Sequence, residues 1–517
     1  MRMVEEKKYL RIQFILDSPL ALGSGDNDRT DKDLMYGSDG KPYIPASAIA
    51  GVIRELCELS SDKMNAAEIR ECFGAIKKVT ENGKADGQTD GWGDDTRNQI
   101  GSKIVFYDAT LTDNSSCHIS IRDSVALDEY KTAKKGAKFD MEVLEAGATF
   151  VTYLEETVNS GGRRKSVEKD ISDGTAASDD NKTYLDRIID VLSTGKIRFG
   201  GKTTRGYGDV SIKSIDKTSF CINDRIGVNE NGLKSWLDFD LYDLNSTTNW
   251  ESVEGVDFSR DSRKVIRIGL KLNGGISIRK YTTEPNDDPK NKTIPDQEQL
   301  KSHRINNPTE TENAEEKKPS EEFLPVIPGT SWAGAIRHRM CELMHETSEN
   351  DKTGERKKPE IDEIFGFVIG EGKNQKSRSK LRFGESYITG GTDRQISRNA
   401  IDRFTGGTVD GALFTERTHY GGETELEIEW LGKEPIPPRI RKALAAALTD
   451  LHLGFLAVGG ETSIGRGLFS IVSIDRNKLE DELKKTHVNN VGANSETDNV
   501  GTKLFRLLDV RLEEVFV

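Results

Sequence analysis

Pro45-Ala-Ser-Ala-Ile-Ala-Gly-Val-Ile-Arg-Glu-Leu56 returns, altered but in register, as Pro328-Gly-Thr-Ser-Trp-Ala-Gly-Ala-Ile-Arg-His-Arg339. A second pair follows the first in the same order. Phe199-Gly-Gly-Lys-Thr-Thr-Arg-Gly-Tyr-Gly208 is matched by Val458-Gly-Gly-Glu-Thr-Ser-Ile-Gly-Arg-Gly467. Gly200, Gly201, Thr203, Gly206 and Gly208 fall opposite Gly459, Gly460, Thr462, Gly465 and Gly467. Two motifs repeated in one order mean two copies of one domain in a single chain.

Each copy opens on an alternating strand. Leu10, Ile12, Phe14 and Leu16 share one face, and Ile266, Ile268, Leu270 and Leu272 share the matching one. An Ile-Pro step precedes the first helix, where Ser47 or Thr330 can act as cap. Returning strands, a long hairpin, a second helix, the glycine-rich turn and a closing strand complete the unit. Strand, helix, strands, helix, strand is the order of a ferredoxin-like (RRM-like) α+β domain. The expected division is a first domain over 1–218, a linker over 219–262 with a short ordered piece around Trp236–Leu241, and a second domain over 263–517. The copies align at a shift of 256 residues before 286–322 and of 283 after it, so copy two carries 27 extra residues there. That insertion and the polar segment 488–501 are expected to be mobile.

The 517 residues carry a formal net charge of −13. Such a balance argues against a simple basic nucleic-acid coat, although binding is local and net charge is a global sum. The acid is concentrated in stretches such as 309–322, with six glutamates, while 196–208 and 263–280 hold only basic charge. Five unpaired-looking cysteines and scattered histidines point to reduced, mostly buried thiols and no zinc site. With no apolar leader and no run long enough for a bilayer, a cytoplasmic protein with no membrane partner is expected.

The Ile-Pro-Ala/Gly-Ser/Thr step, the hairpin segment Arg398-Asn-Ala-Ile-Asp-Arg-Phe-Thr-Gly406 and the Gly-Gly-x-Thr-x-x-Gly-x-Gly turns together resemble the repeat-associated mysterious proteins (RAMPs). The resemblance covers roughly 9–215 and 265–475. It implies a guide-RNA-binding backbone subunit of a type III CRISPR effector, most similar to fused two-copy, III-D-like subunits. The implied partners are guide RNA, target single-stranded RNA, other backbone subunits and a large signalling subunit.

Residue by residue, the glycine turns offer Gly200, Gly201, Lys202, Thr203, Arg205, Gly459, Gly460, Thr462 and Arg466 to RNA phosphates through bare amides and nearby cations. The plain alternative is a glycine-rich hairpin required for packing. An ATP-binding P-loop is excluded: its first glycine would fall at Lys196, and Glu461 replaces the lysine. Helix N-termini at Ser47 and Thr330, with Arg54 and Arg337 further in, could attract an anion. The hairpin arginines Arg122, Arg398 and Arg403 correspond to a thumb that kinks the guide–target duplex in the family. The resemblance puts a catalytic aspartate about a dozen residues before Pro45. Asp31 fits best, Asp26, Asp28 and Asp33 are rivals, and Asp287 is its counterpart in copy two. An aspartate there can bind Mg²⁺ or take the proton of an attacking 2′-hydroxyl. Two other readings stand beside this one: a non-catalytic RNA-binding scaffold, and an endoribonuclease that processes the guide precursor. The latter calls for a histidine, and His118 and His419 share no motif.

Overall fold

A strand with apolar residues on alternate positions buries one face when neighbours pair along both edges, and both copies do this. The computed structural model describes residues 4–25, 29–60, 62–76, 99–113, 115, 117–127, 132–159, 182–193, 197–223, 232–242, 250–254, 264–281, 295–305, 321–345, 360–368, 376–489 and 499–516. Copy one contains β1 (Val4–Leu16), α1 (Ala46–Leu59), α2 (Ala66–Phe73), β2 (Ile104–Phe106), β3 (Ile119–Leu127), β4 (Ala133–Leu144), β5 (Thr149–Asn159), α3 (Tyr184–Leu192) and β6 (Asp209–Cys221). Its antiparallel sheet runs β6–β1–β5–β2. Leu10, Ile12, Phe14 and Leu16 pack against Ile49, Ile53 and Cys57 of α1 and Leu185, Ile188 and Ile189 of α3.

The linker contributes α4 (Leu233–Leu237). Copy two follows with β7 (Val265–Asn273), α5 (Gly329–Leu343), α6 (Glu360–Phe365), β8 (Leu381–Phe383), β9 (Thr392–Ile401), β10 (Thr408–Tyr420), β11 (Glu423–Trp430), α7 (Pro438–Leu453) and β12 (Leu468–Ile474). Two further helices, α8 (Leu479–Asn489) and α9 (Val500–Phe516), close the chain, and α9 packs Leu504, Leu508 and Leu512 into the copy-two core. The sheet runs β8–β11–β7–β12, the order of copy one. Even the irregularity repeats: β1 shifts register against β6 between Gln13 and Phe14, and β7 shifts against β12 between Gly269 and Leu270. A bulge bends a strand, so both sheets curl at the same place. The molecule is two tandem ferredoxin-like α+β domains, each with an inserted hairpin, β3–β4 or β9–β10.

Three expectations change. First, Ser47 and Thr330 do not cap their helices. Pro45 and Pro328, in extended conformation, are the N-caps and supply no side-chain bond; Ser47 and Thr330 lie exposed in the first turn. Asp108 instead takes the Ala46 N–H at 2.7 Å. Second, the insertion is partly built. Gln297–Gln299 and Lys301–Ile305 are strands, the latter paired with Glu321–Ile327, and Ser302 and His303 are wholly buried. Third, two of the five thiols, Cys117 and Cys221, are exposed.

The linker lies across the outer face of the copy-one sheet. Trp236 Nε1 donates to Tyr9 Oη at 2.8 Å, the Phe239 ring lies tilted 5.0 Å from Tyr9 and 4.9 Å from Phe220, and Arg11 sits 4.6 Å over Trp250. The sheet face that RRM-type domains use for stacking bases is therefore filled by the chain itself.

The copies meet along a buried, charged joint. Arg382 pairs with Asp209, both nearly without solvent contact, and Arg198 reaches Glu429 at 2.5 Å. Arg122 lies between Glu145 of its own copy at 3.0 Å and Glu385 of the other at 2.5 Å, while Ser302 donates to Glu145. Breaking one partner of a buried pair costs about 3–5 kcal/mol, because the other charge is left uncompensated. Asp209→Asn is expected to destabilise the chain by about 3 kcal/mol and to give two urea transitions where the wild type is expected to give one. Coincident unfolding of both copies in the variant, followed by tryptophan fluorescence and circular dichroism, would count against a coupling role for this joint.

Candidate nucleic-acid interface

Chain reversal next to a strand edge forces the glycine pattern of the turns. A Cβ on Gly208 would lie 1.9 Å from the Phe199 carbonyl oxygen, and one on Gly200, at φ +79°, would lie 2.5 Å from that of Ala21. The amides are also spent internally. Gly201 N–H donates to Ala21 at 2.7 Å and Gly460 N–H to Ser277 at 2.8 Å. The expectation of bare amides is thus corrected for Gly201 and Gly460, whose N–H groups are engaged within the chain. Gly200 and Gly459 are required by packing, because the turn must nest against the segment leaving the first strand.

What the turn presents is the residue after those glycines. Lys202 and Glu461 occupy the same left-handed conformation, at φ 56° and φ 59°. Lys202 Nζ lies 4.5 Å from the Phe139 ring centre, 3.4 Å from Ser124 Oγ and 2.9 Å from Met141 Sδ, with Tyr207 at 5.9 Å. Among the described residues no carboxylate pairs with it. Burial, with Lys32 and Arg122 close by, pulls the amine down to about 8. Lys32 also approaches the Phe139 ring, at 5.9 Å. A half-buried cation without a counter-ion is an acceptor for an anion.

The acidic loop is zipped to the same hairpin. Asp31 N–H donates to Asp140 Oδ1 at 2.9 Å, and Asp140 N–H donates to Asp31 Oδ2 at 3.0 Å. Leu34 N–H and Tyr36 Oη both donate to Glu142, which lies two residues further along β4. Burial and that carboxylate push the Tyr36 phenol up to about 12. Asp31 is exposed and keeps Oδ1 open among the described residues. Its rival Asp33 is buried, accepting from Arg29 N–H, Thr30 N–H and Thr30 Oγ1, and so shapes the loop. Asp26, Asp28 and Asp287 lie outside the described residues.

Asp140 was missed by sequence reasoning, since only the fold brings it to Asp31 from 109 positions away. Among the described residues no group of three or more His, Cys, Asp and Glu could hold a metal. Mg²⁺ takes one or two carboxylates and fills its shell with water and phosphate oxygens; at this loop Asp31 and Asp140 are the described residues that could supply them.

Several predicted RNA ligands have other work. Arg122 is buried in the joint. Arg205 donates to the Phe365 carbonyl at 3.2 Å and to Ser379 and Leu381 of copy two, so it too holds the copies together. Thr203 Oγ1 accepts from Arg378 at 2.8 Å. Arg337 reaches Asp362 at 2.5 Å, and Arg54 pairs with Glu58 one turn on. Arg122 and Arg205 are thus corrected from RNA ligands to groups of the joint, while Arg54 and Arg337 pair with nearby carboxylates and stay partly exposed. Arg398 and Arg466 share Glu416 and Glu461. Thr462 is exposed on its turn, and Arg403 is exposed at the tip of the β9–β10 hairpin beside the almost fully exposed Phe404. That tip is shaped by Asp402, which accepts from Phe404 N–H and Thr405 N–H at 2.8 Å each. His419 meets acceptors with both ring nitrogens, at Asp393 and Gly390, and the His118 ring lies tilted 4.3 Å from that of the buried His303.

Residues 13–211 and 310–470 match the family model of the RAMP superfamily, and the chain belongs to that superfamily. No curated protein matches the chain. Among the described residues no helix is long and apolar enough to cross a membrane.

The Lys202 amine sets a pH signature. The unfolded chain keeps this proton up to its ordinary value of 10.5, whereas the folded protein releases it from about 8. Stability therefore rises with pH between those values. Lys202→Met is expected to raise stability near neutral pH, on the order of 2 kcal/mol, and to flatten that rise. Urea titrations at neutral and alkaline pH measure both; an unchanged alkaline slope would contradict the assignment.

Proposed function

We propose that this RAMP-superfamily chain is a guide-RNA-binding backbone subunit of a type III CRISPR ribonucleoprotein. It holds the guide–target RNA duplex and supports cleavage of the target strand at Asp31. Superfamily membership supports the coarser part, a CRISPR-associated RNA-binding subunit. The observation that carries the finer part is the meeting of Asp31, Asp140, Lys32 and Lys202 along Phe139–Met141 of one hairpin. Base pairing, not side chains, reads the target.

In this reading an RNA phosphate is drawn to Lys202 and Lys32. The Asp31 carboxylate, held by the Asp140 N–H, accepts the proton of the neighbouring 2′-hydroxyl. The 2′-oxygen bonds to phosphorus, the bond to the 5′-oxygen breaks, and that oxygen leaves with a proton from water. The products are a 2′,3′-cyclic phosphate and a 5′-hydroxyl. Mg²⁺ at the Asp31–Asp140 pair would offset phosphate charge. Phe404, with Arg403 beside it, fits a wedge that opens a base step and grips the backbone.

The joint also supports stacking with further backbone subunits. The N-terminus of α5 is closed by the copy-one turn: a Cβ on Gly329 would lie 2.4 Å from the Arg205 carbonyl oxygen. The corresponding surfaces at the two ends are the N-terminus of α1 and the turn Thr462–Ile464. There, exposed Val105 stands where copy two has Arg382, and exposed Ile464 stands where copy one has Arg205.

Asp31→Asn in the complex assembled with guide RNA is expected to abolish cutting of a bound target RNA while leaving its binding within about twofold. EDTA is expected to have the same effect on wild type. Undiminished cleavage by the variant would leave a scaffold role, with the cut made elsewhere.

A further inference from the structure

Four positions surround the residue at the head of each glycine turn, and the register of the hairpins matches them one to one. Lys202 corresponds to Glu461. Ser124 and Arg398 stand opposite the matched Phe139 and Phe414. Met141 and Glu416 lie two residues beyond those phenylalanines, and Tyr207 and Arg466 each precede the last glycine of the turn. Copy one thus places a lone ammonium among a hydroxyl, a thioether and two aromatic rings. Copy two places a carboxylate on two guanidiniums. Glu461 meets Arg398 at 3.0 Å and also Arg466, and Arg279 stands 3.9 Å away. Behind them the fully buried Glu416 takes the same two arginines and accepts from Gln297 at 3.3 Å.

The two seats share a backbone and have opposite charge states. The ammonium in copy one lacks a counter-ion among the described residues. The copy-two seat sets Glu416 and Glu461 against Arg398 and Arg466, with Arg279 at its edge, so its cations are already engaged when RNA arrives. The carboxylate of Glu461 supplies the two arginines with the negative charge that a phosphate would otherwise bring.

We propose that Glu461 is a built-in anion that fills the copy-two phosphate seat, so that single-stranded RNA takes its charged grip at the turns from the copy-one seat alone. This rests on the RNA-binding reading above and adds that the copies are unequal. Exchanging Glu461 for a neutral residue removes one negative charge from the seat and leaves Arg398 and Arg466 sharing Glu416 alone.

The test uses the full chain and a fluorescein-labelled oligouridylate of about 30 nucleotides, followed by anisotropy across about 50–300 mM KCl. Each phosphate neutralised adds about 0.7 to the slope of log K against log salt for a single strand. Glu461→Gln is expected to tighten binding about fivefold in low salt and to steepen the slope by about 0.7. Lys202→Glu, which installs the copy-two residue in copy one, is expected to weaken binding by about tenfold or more and to make the slope shallower. Thermal melts confirm folding. If wild type and Glu461→Gln bind with equal affinity and slope while folded, the built-in anion is refuted and the RNA-binding reading survives. If wild type does not bind RNA at all, that reading falls, and this proposal with it. Should Glu461→Gln fail to fold, Lys202→Glu decides alone: unchanged affinity would place the grip elsewhere and overturn the proposal.

Discussion

Arg382 of the second copy reaches Asp209 of the first with both side chains nearly out of water. Around this pair stand Arg198 with Glu429 and Arg122 with Glu145 and Glu385. Charges taken out of water tolerate little displacement, since any partner lost leaves a bare ion in low dielectric. The joint therefore holds the copies at one angle. It also uses up the first glycine turn, whose Thr203 and Arg205 carbonyls and guanidinium face copy two. Everything the chain offers to a ligand is what remains after this joint is satisfied.

What remains is unevenly divided. Copy one keeps Lys202 in a cage of aromatic, thioether and hydroxyl groups beside the Asp31–Asp140 clasp. Copy two keeps a projecting hairpin whose tip carries Arg403 and Phe404, while Arg398 and Arg466 are held by Glu416 and Glu461. Buried Glu416 stays ionised down to about 2: the arginine bonds overcome the desolvation that would raise it. Its stabilising contribution is present above the ordinary carboxylate value of 4.5 and is lost as pH falls from there toward 2. Duplication supplied one backbone twice, and substitution at four matched positions gave the two halves different electrostatics.

Much of the architecture was legible. The alternating strands at Leu10–Leu16 and Ile266–Leu272, the helices after Pro45 and Pro328, and the matched hairpins all emerge from period and punctuation. The caps were misread because hydroxyl residues shortly after a proline look like caps; the proline itself takes the cap position two residues earlier in both copies. The insertion was misread because Gln297, Gln299, Ser302 and His303 are polar. Burial of polar groups needs partners from distant segments, here Glu145, Ala146, Glu416 and Val326.

The sequence by itself determined that one α+β module occurs twice, in which order its elements run, and where each glycine turn falls, because these follow from local spacing and repetition. Which arginines are free was decided only by tertiary structure. A cation's availability depends on the carboxylates that folding brings to it, and Arg122 meets Glu385 across 263 positions of chain. The pairing of Asp31 with Asp140 and the isolation of Lys202 belong to the same class: proximity set by the sheet and the joint, which no local pattern encodes.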